Sequence, residues 1–104
     1  MSIHDEFLKA IHEKKFVNIT ANSNEKGVIQ RICVPFDFGP SRKYHDQIAR
    51  YHFWDLNSPD GPHNLALLPD QLLALVMIDQ TFKPGDYVMW TPKWIVPRDW
   101  GAHS

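Results

Sequence analysis

Turn residues divide this chain into short segments, and that spacing restricts its fold more than any other feature. Residues 57–64 read Asn-Ser-Pro-Asp-Gly-Pro-His-Asn, and residues 22–27 form a second polar segment that ends in Gly27. Pro, Asp, Asn and Gly favour turns because their side chains pre-form or tolerate turn backbone angles. Short runs of apolar residues lie between these segments, which is typical of strands joined by hairpins. The spacing therefore predicts a mainly β fold with antiparallel strands.

The apolar pattern between the turns predicts five or six short strands. Five segments have the alternating, β-branched or aromatic pattern of a strand: residues 16–21, 28–34, 48–56, 73–79 and 86–90. A sixth, residues 64–68, is expected to pair across the turn at 57–64. Pro35 is expected to end the central pairing of the second strand. Residues 37–47 are polar and contain Gly39 and Pro40, so they are interpreted as a loop. The Leu and Met content of residues 73–79 also fits a short buried helix, so both alternatives stay open.

A helix is predicted before the first strand. Ser2 lies three residues before Asp5, which is the spacing of a capping box. Ile3, Phe7 and Ile11 recur at helical spacing and form one apolar stripe. A small sheet exposes an apolar face unless it bends or is covered, so this helix is expected to cover it.

These elements predict one domain of the α+β class, mainly β, over residues 1–104. We expect an N-terminal helix (residues 1–15) packed on a small, strongly bent antiparallel β-barrel (16–90). The remaining residues (91–104) contain Pro92 and Pro97 and are expected to form an extended, Trp-rich tail.

Composition argues against several classes of protein. The formal net charge is −1, so no long-range attraction to nucleic acid or anionic membranes is expected, and any such binding would need a local patch. The single cysteine, Cys33, excludes an intrachain disulfide and favours a reducing compartment. The charged N-terminal segment lacks the apolar core of a signal peptide. These features predict a cytoplasmic protein that does not enter a membrane.

Enzymatic and metal-binding patterns are not found in the sequence. His45, His52 and His63 have no spacing typical of a metal site, and there is no CxxC or HxxxH pair. Cys33 lies between Ile32 and Val34 in a predicted strand, where a thiol is usually packed and inert. We therefore predict a non-enzymatic protein with no catalytic residue, metal or cofactor.

One local concentration of basic and aromatic residues predicts an anion-binding site. Arg42, Lys43 and Arg50 are interleaved with Tyr44 and Tyr51. Cations contact phosphates and aromatic rings stack on bases, so this mixture suits a nucleotide or a single strand. The alternative is a solvated loop of ordinary surface charge.

The middle of the chain, from about Phe16 to Pro84, resembles the WYL domain, a small Sm-like or SH3-like β-barrel of bacterial regulators. The resemblance lies in Lys26-Gly27 at the first turn, Arg31-Ile-Cys-Val-Pro35, Tyr51-His-Phe53, Leu67-Leu-Pro-Asp-Gln-Leu72 and Phe82-Lys-Pro84. Leu68 and Gln71 stand where the family has arginines. The resemblance implies a ligand-sensing role with a nucleotide or nucleic-acid ligand, and it strengthens the case for Arg31, whose guanidinium suits bidentate anion binding. The alternative for Arg31 is a local ion pair. The predicted ligand-binding set is Arg31, Arg42, Lys43, Tyr44, Arg50 and Tyr51.

The four tryptophans allow an alternative function. Trp54 and Trp90 are expected to pack in the core, whereas Trp94 and Trp100 in the tail fit either the core or an exposed interface. Exposed tryptophans are frequent binding hot spots. The alternative hypothesis is therefore a protein-interaction module, or a homodimer, that uses Trp94 and Trp100.

Overall fold

The fold is that of a computed structural model, which describes residues 2–41 and 43–104. It contains one helix and five strands: α1 (Ile3–Glu13), β1 (Lys15–Ser23), β2 (Gly27–Pro40), β3 (Ala49–Asp55), β4 (His63–Leu67) and β5 (Leu72–Thr81). Three single 3-10 turns follow β4 or β5, at Pro69–Gln71, Pro84–Asp86 and Gly101–His103. No helix in the described ranges is long and apolar enough to cross a bilayer.

The five strands form one antiparallel sheet in the order β4-β3-β2-β1-β5. The predicted mainly β fold with an N-terminal helix is therefore confirmed. Within the described residues the sheet is not closed, since β4 and β5 are its edges and only the turn at Pro69–Gln71 connects them. Closure into a barrel is thus not confirmed.

Helix α1 covers the sheet as its apolar stripe predicts. The Ser2 hydroxyl accepts a hydrogen bond from the Asp5 N–H at 3.1 Å, which caps the first turn. Lys14 ends the helix in a left-handed conformation, with φ of 55°. Phe7 and Ile11 are fully buried, and α1 packs across β1, β2 and β5. This helix-facing side of the sheet carries the hydrophobic core.

The β1–β2 hairpin forms where its turn residues predict. Ser23 pairs with Gly27, and the Ser23 hydroxyl accepts hydrogen bonds from the N–H groups of Glu25 and Lys26. Gly27 has a φ of 72°, a left-handed conformation that glycine adopts without a steric cost.

Strand β2 is longer than the sequence predicts. It continues through Pro35 to Pro40, so the prediction of a strand end at Pro35 and of a loop from residue 37 is wrong for residues 37–40. The reason is a register shift between Pro35 and Asp37, where β2 pairs with β3. A bulge tolerates proline because it interrupts the hydrogen-bond ladder that proline cannot join.

Two further expectations about the second half need correction. Residues 72–81 form a strand and not a helix, but Leu73 and Val76 are exposed, so this strand is not fully buried. Residues 86–90 are not a strand. The N–H groups of Tyr87 and Val88 instead donate to the Pro84 carbonyl, which satisfies this backbone locally.

The segment after residue 90 is irregular and wraps around the sheet. Its N–H groups at Ile95 and Val96 donate to the Asp37 carboxylate, at 2.9 Å each. Further along, the indole N–H of Trp100 donates to the Ile11 carbonyl at the end of α1. The tail therefore joins the C-terminal part of β2 to the last turn of the helix.

Candidate ligand-binding groove

A polar cavity of about 390 Å³ opens between the β1–β2 hairpin, the β3–β4 turn and the loop before β3. Four of its lining side chains are cationic, namely Lys26, Arg31, Lys43 and Arg50. Three are carboxylates, namely Glu25, Asp55 and Asp60. This cavity, called the polar cavity below, therefore combines a small excess of positive charge with mixed hydrogen-bonding groups.

Arg31 lies at the inner end of the polar cavity. It pairs across the sheet with Ile19 and so points to the buried face, where Asp55 is its partner. Arg31 Nε and Asp55 Oδ2 are 3.2 Å apart, and Arg31 Nη1 donates to the Gln30 carbonyl at 2.9 Å. Asp55 also accepts from the Asn57 N–H. The alternative of a local ion pair therefore describes the geometry of Arg31, although its guanidinium still lines the cavity.

Tyr44 and Arg50 form a supported ring at the outer end. The two carboxylate oxygens of Asp46 accept from Arg50 Nη1 and Nη2 at 2.9 and 2.8 Å, a bidentate pair. The Arg50 guanidinium lies 4.1 Å from the centre of the Tyr44 ring. Arg50 is only 7% exposed, whereas Tyr44 is 47% exposed. Arg50 therefore holds the ring in place, and the ring offers its surface to the solvent.

The ion pair with Arg50 also changes the acidity of Asp46. Hydrogen bonds from the Arg50 side chain and, next in size, the Ile48 N–H lower the pKa of Asp46 from 3.8 to about 2. Asp46 therefore stays ionised at any pH near neutrality. This keeps Arg50 fixed beneath Tyr44.

The remaining cations differ in how far they are neutralised. Lys26 forms an ion pair with Asp60, which joins the β1–β2 hairpin to the β3–β4 turn and lowers the pKa of Asp60. Lys43 is exposed, lies 5.5 Å from the Tyr44 ring, and forms no ion pair with a described carboxylate. Lys43 is thus the cation most available to an anion.

Tyr51, which was predicted as a site residue, does not line this cavity. Tyr51 is buried on the helix-facing side, where its hydroxyl contacts His4 Nδ1 at 2.9 Å and its ring packs on Phe7. Burial raises its pKa. Arg42 lies outside the described residues. The structure therefore brings together four members of the predicted set: Arg31, Lys43, Tyr44 and Arg50.

A second cavity of about 710 Å³ lies beside the first, between the tail and the outer side of β3 and β4. Trp90 lines it and is 50% exposed, with its edge on Phe36 and Trp94. Lys93 also lines it and is exposed. The prediction that Trp90 packs in the core is wrong, because residues 86–90 are not a strand. We call this space the aromatic cavity.

The tryptophans named for an interface lie mostly inside the protein. Trp100 is 2% exposed and packs on Phe82 and Trp94. Trp94 is partly buried, and its indole N–H donates to the His103 carbonyl. Trp54, which was expected to pack, is also partly buried.

Neither the cysteine nor the histidines form a reactive cluster in the described residues. Cys33 is fully buried, and its burial, with a smaller contribution from the Asp55 charge, raises the pKa of the thiol. Within residues 2–41 and 43–104, no three His, Cys, Asp or Glu side chains converge to hold a metal ion. The groups available to a ligand are therefore cations, aromatic rings and hydrogen-bonding groups.

Comparison of the chain with protein-family models, with curated proteins and with solved structures finds no match. The likeness to the WYL domain therefore remains an expectation from the sequence. The function has to be inferred from the residues of the polar cavity and the aromatic cavity themselves.

Proposed function

We propose that this chain is a non-enzymatic regulatory or ligand-sensing module, and that it binds an anionic nucleotide or a short nucleic acid in the polar cavity. One observation carries the proposal. An exposed tyrosine ring, Tyr44, is held in place by Arg50 next to the free cation Lys43, inside a cavity that also contains Arg31.

This arrangement suits the two chemical features of a nucleotide. A base stacks on an aromatic ring, a contact that contributes about 1–3 kcal/mol per base. A phosphate is attracted to a lysine or arginine that is not already neutralised. Because Asp46 and Arg50 fix the ring before a ligand arrives, little conformational freedom is lost on binding. Recognition of this kind needs no bond to be made or broken.

The resemblance to the WYL domain supports the same cavity. Leu68 and Gln71, which stand where that family has arginines, both line the polar cavity. Gln71 is engaged within the protein, since its amide accepts from the Leu68 N–H and donates to the Asn22 carbonyl. On this proposal the main anion-binding cation is therefore Lys43, with Arg31 lining the cavity beside its partner Asp55, and not side chains at positions 68 and 71. The proposal includes a cytoplasmic location, because the lone buried thiol suits a reducing compartment.

The test is a calorimetric and thermal-shift screen against mononucleotides, cyclic dinucleotides and short single-stranded DNA and RNA, in low and high salt. A ligand that binds the native state raises the unfolding midpoint. The affinity for a phosphate-bearing ligand should fall as the salt concentration rises, because binding releases counterions from the ligand and added salt opposes that release. We expect Lys43→Gln to reduce the salt dependence of the ligand affinity. Tyr44→Ala should weaken the binding free energy by about 1–3 kcal/mol.

Lys83→Gln is the matched control, because Lys83 is exposed and lines neither cavity. Arg31 is a poor test position, since its removal would leave Asp55 buried without its cation. Binding that is unchanged in both Lys43→Gln and Tyr44→Ala, or no binding of any probe at millimolar concentration, would contradict the proposal.

A second candidate is the interaction module, and one observation favours it. Residues 89–95, at the start of the tail and just before it, expose three large apolar side chains, Met89, Trp90 and Ile95, of which Met89 is 85% exposed. Since Trp100 is buried, such an interface would use these residues and Trp94 rather than Trp100. Sedimentation equilibrium of the chain with and without Trp90→Ala tests it. Association that resists salt and is lost in the variant would favour a homodimer over a nucleotide sensor.

A further inference from the structure

The two cavities adjoin each other at β4, which is an edge strand of the sheet. Five residues line both of them: Lys43, Tyr44, Asn64, Leu65 and Ala66. Tyr44 and Lys43 therefore stand at the junction, with the polar cavity on one side and the aromatic cavity on the other. Each cavity falls within the range of about 300–1,000 Å³ that is usual for small-molecule sites. A single nucleotide has no need of both.

The aromatic cavity repeats the combination found around Tyr44. Trp90 supplies a half-exposed ring that is held on one side by Phe36 and Trp94, with centroid distances of 5.7 and 6.2 Å. Lys93 supplies a cation that forms no ion pair with a described carboxylate. A fixed ring and an unneutralised cation thus occur together in each cavity.

The one carboxylate in the aromatic cavity does not oppose an anion strongly. Asp37 lines the cavity, but its oxygens accept hydrogen bonds from the N–H groups of Ile95 and Val96, and Arg98 is its ion-pair partner. Its charge is therefore largely compensated inside the protein. Lys43 and Lys93 remain as the uncompensated charges of this cavity, which favours an anionic occupant over a cationic or neutral one.

We infer that the aromatic cavity is a second nucleotide subsite, in which Trp90 stacks on a base and Lys93 contacts a phosphate. The ligand is then a single-stranded oligonucleotide of two or more units that passes Lys43 and Tyr44 and spans both cavities. This inference rests on the proposed function, because it adds a subsite in the aromatic cavity for the ligand that is proposed to bind in the polar cavity.

The experiment is calorimetric titration of the full chain with mononucleotides and, separately, with mixed-sequence trinucleotides, at fixed low salt. The variants are Trp90→Ala and Lys93→Gln, with Met89→Ala as control, because Met89 is adjacent and exposed but lines neither cavity. We expect the wild type to bind the trinucleotide more tightly than the mononucleotide. Trp90→Ala should lower the affinity for the trinucleotide by about 5- to 100-fold and the affinity for the mononucleotide by less than about twofold.

Lys93→Gln keeps the test informative if Trp90→Ala disturbs the tail, which circular dichroism would reveal. It should lower the slope of log affinity against log salt by about 0.7 for the trinucleotide only. A mononucleotide that binds as tightly as the trinucleotide, or equal effects of Trp90→Ala on both, would overturn the second subsite and leave the proposed function standing. No binding of either probe would overturn both.

Discussion

The carboxylate of Asp37 and the guanidinium of Arg98 lie 3.4 Å apart and connect the C-terminal part of β2 to the C-terminal tail. The Arg98 side chain is fully buried, and its guanidinium packs against the rings of Trp94 and Trp100, 4.0 and 4.5 Å from their centres. Burial lowers the pKa of Arg98 to about 10, and the Asp37 charge opposes that shift. Asp37 thus offsets the cost of a buried cation and, through Ile95 and Val96, fixes one wall of the aromatic cavity.

Removal of the Asp37 carboxylate should therefore be costly. Asp37→Ala leaves the Arg98 guanidinium buried without its counter-charge, and breaking a buried pair in this way costs about 3–5 kcal/mol. We expect a loss of that size in the free energy of unfolding, measured by urea denaturation followed by circular dichroism.

Asp60→Ala is the matched control, because it removes an exposed ion pair with Lys26 and should cost at most about 1 kcal/mol. Adding Arg98→Met to Asp37→Ala should recover part of the stability, since no charge is then left unpaired. Equal losses in Asp37→Ala and Asp60→Ala would mean that the Asp37–Arg98 pair does not hold the tail.

Local signals in the sequence predicted those parts of the fold that local interactions determine. The Ser2 cap acts over three residues, and the turn at Ser23–Gly27 depends on glycine at one position. The path of the tail depends instead on Asp37, which is about sixty residues away in the chain. No local pattern marks such a contact, so the path of the tail could not be predicted from the sequence. The strand predicted at 86–90 was wrong for a local reason, because the N–H groups of Tyr87 and Val88 donate to the Pro84 carbonyl.

The candidate site divides in the same way. Lys43, Tyr44 and Arg50 are near one another in the chain, so their cluster could be predicted from spacing alone. Tyr51 is adjacent to Arg50, but the register of β3 turns it towards α1, where it packs on Phe7. The spacing of aromatic residues indicated a binding surface, yet only the direction of each side chain decides which rings a ligand can reach.

Asp46 should titrate well below an ordinary aspartate. Its pKa is lowered from 3.8 to about 2 in the folded protein, so its contribution to stability is complete above pH 3.8 and is lost as the pH falls through about 2. NMR titration of its carboxyl carbon should give a midpoint near 2 in the wild type and a clearly higher midpoint in Arg50→Gln, which stays below 3.8 because the Ile48 N–H still donates to the carboxylate. Lys43→Gln should leave it unchanged, and a midpoint that stays near 2 in Arg50→Gln would exclude Arg50 as the cause.

Cys33 should be unreactive while the protein is folded. Its thiol is fully buried, so a reagent cannot reach the sulfur, and its pKa is raised, so the reactive thiolate form is scarce. We expect a disulfide reagent to label it about a thousandfold more slowly in buffer than in urea, because labelling needs an opening of the core. An exposed thiol made by Lys83→Cys in a Cys33→Ala background should react at once. Rapid labelling of native Cys33 would mean that the interior of the sheet opens readily.

Trp100 should stabilise the protein through the end of α1. Its indole N–H donates at 2.9 Å to the Ile11 carbonyl, in the last turn of the helix, where the other donor to that carbonyl is the capping N–H of Lys14 at 3.3 Å. Trp100→Phe keeps most of the packing and loses this bond, so it should cost about 1–3 kcal/mol in urea unfolding. Trp100→Ala also leaves a cavity beside Phe82 and should cost about 3–5 kcal/mol.

Trp90→Phe is the control for both Trp100 variants, because Trp90 is half-exposed and its indole N–H has no hydrogen bond to a described residue. It should change the unfolding free energy by less than about 1 kcal/mol. If Trp100→Phe were as mild as Trp90→Phe, the contact with Ile11 would contribute nothing and the tail would be held by Asp37 alone. A larger loss of unfolding free energy in Trp100→Phe than in Trp90→Phe would instead mean that the tail is anchored both on β2 and on α1. The anchor on β2 then fixes the wall of the aromatic cavity.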